Sequence, residues 1–147
     1  MLIFTEGGYQ TCPFEVVFKL DLPLYVMLGN TKFILNLNRY RNAHYRVLAA
    51  AKLKYGLEVL NLLPDNYPRF LEGEFFCHYT LYPKTAAVGD VSNPLSIIDK
   101  FTQDAIVEAG MFKDDNYKII KGANYVFGAI DRTNPRAELR VCKLFSG

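Results

Sequence analysis

At 147 residues, half of them apolar, the chain reads as one domain (1–147) long enough to bury a core. Its 17 basic and 15 acidic side chains leave a formal net charge of +2. That composition excludes a disordered polyelectrolyte, and bulk charge alone does not declare a nucleic-acid binder.

Residues 14–22, FEVVFKLDL, alternate bulky apolar positions and predict a strand ended by Pro23. Residues 24–28 and 32–37 predict two shorter strands joined at Gly29-Asn30, a hairpin dipeptide in reversed order. A long helix is expected over residues 41–62. Tyr40, Val47, Leu48, Ala51, Tyr55 and Val59 recur at helical spacing there, with Asn38 or Asn42 available as caps. LPDNYPR, residues 63–69, is loop. Residues 71–82 make the clearest strand, with Phe75, Cys77, Tyr79 and Leu81 on one face and Phe76, His78, Thr80 and Tyr82 on the other. Both faces are apolar or aromatic, as in a central strand covered on both sides. His78 there reads as a satisfied, half-buried histidine rather than a ligand.

Residues 83–89 form a loop, which puts Lys84 within reach of whatever binds Asp90. Asn93-Pro94 predicts a helix start, Asn as the N-cap and Pro as the first helical residue. Leu95, Ile98, Phe101 or Ala105, Ile106 and Ala109 form its buried stripe. Asp99, Lys100, Gln103, Asp104 and Glu108 take the polar face, and Gly110 stops the helix. Residues 117–120 and 125–130 read as a strand pair around Gly122-Ala123-Asn124, and residues 137–144 as a final strand. The order implies an α/β (α+β) fold, a mixed β-sheet with two principal helices packed on it.

Charge is unevenly spread. Residues 32–54 hold three arginines, three lysines and one histidine, and no Asp or Glu. Arg39, Arg41, His44, Arg46, Lys52 and Lys54, with Lys84 from the later loop, are therefore the candidate nucleic-acid contacts. Their cations would reach phosphates while Tyr40, His44 and Tyr45 pack beside sugars or bases. The plainer alternative is a solvated basic face.

Chemistry concentrates in residues 89–116, GDVSNPLSIIDKFTQDAIVEAGMFKDDN. Asp90 precedes the helix and Asp114-Asp115 follow it. Carboxylates converging from the two ends would repel unless a cation sat between them, and hard cations such as Mg²⁺ choose carboxylate oxygens. The fitting reaction is phosphodiester hydrolysis, with Lys100, a helical turn or so from the acidic loop, stabilising developing charge. The alternative for Lys100 is an i,i+4 pair with Asp104. There is no GxSxG elbow, P-loop or Rossmann fingerprint. Three scattered cysteines without CxxC spacing argue against a disulfide framework and a zinc site. No apolar run approaches the roughly 18 to 20 residues that cross a bilayer, and MLIFTEGG lacks a signal pattern. A cytoplasmic, reduced protein with no membrane partner is expected.

Across residues 89–120, and more weakly at 35–45 (LNLNRYRNAHY) and 134–141 (NPRAELRV), the chain resembles the RusA family of Holliday-junction resolvases, often carried by phages and prophages. The family pattern is an acidic D-x-D-N loop, a helix bearing K-x-x-x-D-A-L, a Gly stop and a closing D-D. Here it reads Asp90-Val91-Ser92-Asn93, then Lys100 to Ile106, Ala109-Gly110 and Asp114-Asp115. The resemblance implies a RusA-like, intertwined homodimer that cuts four-way and branched DNA in recombination and repair, in the host cytoplasm if phage-encoded. It also implies Mg²⁺, with Mn²⁺ able to substitute, held by Asp90 and Asp115, with Asp114 as a supporting acid and Lys100 as the catalytic lysine. Ser92 stands where the family's second loop aspartate is expected, and the lysine lies about one helical turn further on. Asn93 or Asp99 could face the metal instead. The alternative is a resolvase-like branched-DNA-binding protein with weak or no cleavage, or a metal-dependent nuclease with a simpler DNA or RNA substrate.

Overall fold

In the strand β6 (Phe75–Tyr82), alternate side chains Phe75, Cys77, Tyr79 and Leu81 are almost wholly buried, and the rest of the fold assembles around that face. The computed structural model describes residues 2–5, 8–11, 14–113 and 118–144. In chain order come β1 (Leu2–Thr5), β2 (Gly8–Thr11), β3 (Phe14–Leu22), β4 (Tyr25–Leu28) and β5 (Thr31–Ile34). Two helices follow, α1 (Leu37–Asn42) and α2 (Tyr45–Leu62), and then β6. After it come α3 (Ser92–Glu108), β7 (Ile120–Phe127) and β8 (Arg136–Leu144).

The main sheet has the order β3-β8-β6-β7; β1-β2 and β4-β5 are separate hairpins. β8 is antiparallel to both β3 and β6, whereas β6 and β7 run parallel. A parallel pair needs a crossover, and α3 supplies it. The architecture is thus mixed α+β. No helix among the described residues is long and apolar enough to cross a membrane.

Leu95, Ile98, Phe101, Ala105 and Ile106 of α3 lie in one core with the inner face of β6 and with Ala51, Tyr55 and Val59 of α2. Burying each large side chain there is worth about 1.5–3 kcal/mol. Helix α3 contacts both the sheet and α2. A helix flanked in this way buries a wider arc than one stripe, so Ile97, Asp99 and Thr102 are buried too. This corrects the expectation that Asp99 lies on the polar face.

Other departures follow from local chemistry. The helix expected over residues 41–62 is broken, since Ala43 and His44 adopt extended backbone and separate α1 from α2. Its caps are Asn36, whose side chain accepts from Arg39 N, and His44, whose side chain accepts from Arg46 N, rather than Asn38 or Asn42. The expected strand pair at 117–130 is one strand, β7, because pairing with β6, with a shift of register between Ile120 and Ala123, carries the chain on through Gly122-Ala123-Asn124; Tyr117 lies outside the described residues. β6 is central, but its outer face is only partly covered: Phe76, His78 and Tyr82 are half-buried. His78 is satisfied there by Asn124 through Nδ1.

The hairpin turn at Gly29 (φ +63°) and the helix stop at Gly110 (φ +80°) form as the sequence predicts. At the stop, Gly110 N donates to Val107 O and Met111 N to Ile106 O, the paired bonds of a Schellman cap.

Candidate nucleic-acid interface and acidic loop

β6 ends at Tyr82, and the chain turns through a short 3₁₀ segment, Ala86–Val88, to reach Asp90. Val91 already has helical dihedrals, so the exposed Asp90 carboxylate caps α3 from just outside it. Its Oδ1 accepts from Ser92 N at 3.0 Å, and the Ser92 hydroxyl lies 2.9 Å from each carboxylate oxygen. Asn93, expected as the cap, sits inside the first turn with Pro94. Proline is tolerated there because the first N–H groups of a helix have no intrahelical partner. Freed from its own helix, Asn93 turns to another: its Oδ1 accepts from Leu37 N at 2.9 Å. That bond fastens the start of the basic α1 beside the acidic loop.

Lys100 is exposed and lies eight positions past Ser92, about 12 Å along the axis. It is therefore more than two turns from the acidic loop, not one. Nor does it pair with Asp104. Lys52 of α2 takes that carboxylate at 2.8 Å, with its ammonium pKa raised by the hydrogen bond and the neighbouring charge. The Lys100 ammonium lies 6.0 Å from the centroid of the Tyr40 ring.

Asp99 is 8% exposed, and both its oxygens are engaged: Gln103 Nε2 donates at 2.7 Å and the Tyr125 hydroxyl at 2.7 Å. Its charge is felt nearby. Burial, then the Asp99 carboxylate, push the Cys77 thiol up to about 12. Burial followed by the Asp99 hydrogen bond raises Tyr125, and burial first of all raises Tyr79. Asp99 thus anchors a buried polar network, away from any ion in solvent.

The basic candidates divide. Arg39, Arg41 and Arg46 are exposed along α1 and the start of α2. The Arg39 guanidinium lies 5.3 Å from the Phe33 ring centroid, and Arg46 Nε donates to the Tyr45 hydroxyl at 3.2 Å. His44 spends Nδ1 on the Arg46 N–H and stacks 4.5 Å from Tyr45. Lys52 is tied to Asp104, Lys54 is exposed, and Lys84 lines a groove with Tyr25 and Lys32.

Asp114 and Asp115 lie outside the described residues. Among the described residues no three of His, Cys, Asp and Glu gather closely enough to hold a metal ion. Asp90 is the single candidate ligand there with an exposed carboxylate, short of the several oxygens a hard cation takes. The residues in view therefore do not by themselves fit a Mg²⁺ site. Sequence reasoning missed Tyr125 and Gln103 as partners of Asp99 and Asn93 as a partner of α1. Asn93 carried a signal, its place in the D-x-x-N loop, but the signal pointed to its own helix.

Compared with protein-family models and with curated proteins, the chain matches none.

Proposed function

We propose that the chain is a RusA-like, Mg²⁺-dependent endonuclease that resolves four-way and branched DNA as a homodimer. The observation that carries this reading is the Leu37–Asn93 hydrogen bond. It joins two segments 56 positions apart, the acid-free basic stretch and the loop bearing Asp90, into one surface. Phosphate-attracting cations beside an exposed carboxylate loop are what hydrolysis of a DNA backbone requires. Were Asp115, outside the described residues, to join Asp90, the two would hold the ion, which would supply an activated water and neutralise charge on the phosphate. Arg39, Arg41 and Arg46 hold the DNA, and Lys100 stands near the same surface through its position by Tyr40.

A second reading is favoured by one specific contact. The Ser92 hydroxyl occupies both oxygens of Asp90 where a second carboxylate is expected, and Asp99 is consumed by Tyr125 and Gln103. A loop with one acid fits a branched-DNA-binding protein that cuts weakly or not at all. Incubating a labelled four-way junction with Mg²⁺ or with EDTA separates the two. Cleavage with Mg²⁺ that disappears in Asp90→Asn is the expected result. Junctions bound but intact in both conditions establish the second reading, and absence of binding removes both.

A further inference from the structure

Three depressions share Ile34 in their linings, on the surface beside the acidic loop. The first, about 290 Å³, lies between Asn36 and Asn38 and the segment of Ala87, Asn93 and Pro94. It shares Ile34, Asn36 and Asn38 with a second of about 350 Å³, which adds Lys32, Arg39 and Asn42. Lys32 and Ile34 in turn belong to a groove of about 840 Å³ lined by Tyr25, Met27, Leu62 and Lys84. Together they form a trough.

Its lining has a chemical bias. The two smaller depressions contain no carboxylate; their polar groups are Lys32, Arg39 and the amides of Asn36, Asn38, Asn42 and Asn93. Two of those amides have their orientation fixed. Asn36 Oδ1 accepts from Arg39 N at 2.7 Å, and Asn93 Oδ1 accepts from Leu37 N. With the oxygen turned to a backbone N–H, each amide still has its NH₂ donors for a ligand. Donors and cations without carboxylates suit an acceptor-rich polyanion.

The large groove adds apolar walls. Tyr25, Met27, Ile34 and Leu62 are all well exposed, and the Lys32 ammonium sits 4.1 Å from the Tyr25 ring centroid. Asp21 and Glu58 also line this groove, as does Arg136, 3.9 Å from Asp21. Apolar surface beside lysine ammonium groups is the combination that stacks unpaired bases and holds their phosphates.

We infer that this trough, beside the Asp90 loop and with Lys32 and Lys84 in its lining, binds a single nucleic-acid strand. The inference rests on the nucleic-acid reading proposed above. A single strand fits better than a duplex because the apolar walls need unstacked bases to meet them.

The test uses the intact chain and a short fluorescein-labelled oligothymidylate, read by anisotropy over a salt series. The first variant is Lys32→Gln with Lys84→Gln. The second is Asn38→Asp, an exposed position in the first turn of α1, where a carboxylate favours the helix while placing negative charge in the trough. Each should weaken binding about tenfold, and the double variant should flatten the salt slope by about 1.4, two contacts at roughly 0.7 each. Unchanged affinity and slope in both variants overturns the trough. If Arg41→Gln with Arg46→Gln then still abolishes binding, the proposed function survives that loss. Wild-type protein that binds neither oligonucleotide nor junction overturns the proposed function and the trough together. Equal weakening toward single strand and blunt duplex overturns the single-strand assignment.

Discussion

Asn93→Ala should loosen α1 from the acidic loop by a predictable amount. The change removes one acceptor, 2.9 Å from Leu37 N, in a half-buried setting. A neutral hydrogen bond contributes about 0.5–1.5 kcal/mol net, and water reaching the freed N–H keeps the loss near the middle of that range. About 1 kcal/mol is a roughly fivefold change in the equilibrium and a fall of about 3 °C in Tm for a chain of this size. Asn93→Asp is the control, since it keeps the acceptor and adds a charge favoured near a helix start. Urea unfolding of the two variants, with amide exchange at Leu37, reads the effect directly. The alanine variant should exchange faster at Leu37, and the aspartate variant should not. Equal destabilisation in both, or unchanged Leu37 protection in Asn93→Ala, would refute the account of Asn93 as a cap for another helix.

Three further outcomes are expected. The folded state keeps the Cys77 proton up to about pH 12, against an ordinary value of 9.0, so above pH 9 the unfolded chain binds fewer protons and stability falls with rising pH. Cys77→Ala should flatten that alkaline slope by up to about 1.4 kcal/mol per pH unit, and an unaltered slope would exclude the thiol as its source. Asp99→Asn should cost about 1–3 kcal/mol in urea unfolding by weakening the bonds from Tyr125 and Gln103. Mg²⁺ uptake measured by calorimetry should not change in that variant, and weakened uptake would restore Asp99 to the ligand set. Gly110→Ala forces a side chain into φ +80° and should cost about 1–2 kcal/mol, a loss that differential scanning calorimetry would fail to find if the Schellman cap were incidental.

What could be read from sequence was what is decided within a few residues. The strand at 14–22, the final strand, the Gly29 turn and the Gly110 stop depend on alternation or on one left-handed residue, and each stands where it was expected. Asn93 was misassigned because a cap signature is local, whereas its partner is 56 positions away. The break at His44 was invisible because apolar periodicity runs on from Tyr40 through Val47, and an imidazole acceptor leaves no pattern. Asp99 looked solvated because one stripe was assumed for a helix with neighbours on two sides. Gly122-Ala123-Asn124 read as a turn until pairing with β6 overrode local preference. At the candidate site, the basic stretch and the Asp90 loop are adjacent through the Leu37–Asn93 bond, while Lys100 lies further from the loop than its spacing suggests because the helix begins at Ser92.

The length of α3 has an architectural consequence. Seventeen residues span about 25 Å, with Asp90 at one pole and the Gly110 stop, Met111 and Lys113 at the other. Groups at the two ends of a rod that long lie far beyond the span of one ion, so if the proposed nuclease draws one ligand from each end, its centre would be shared between two subunits. Complementation follows. Preparations of Asp90→Asn and Asp115→Asn, each inert alone, should recover turnover after subunit exchange, because every mixed pair regains one intact centre. Persistent silence of the mixture, with exchange verified, would show that each subunit works by itself.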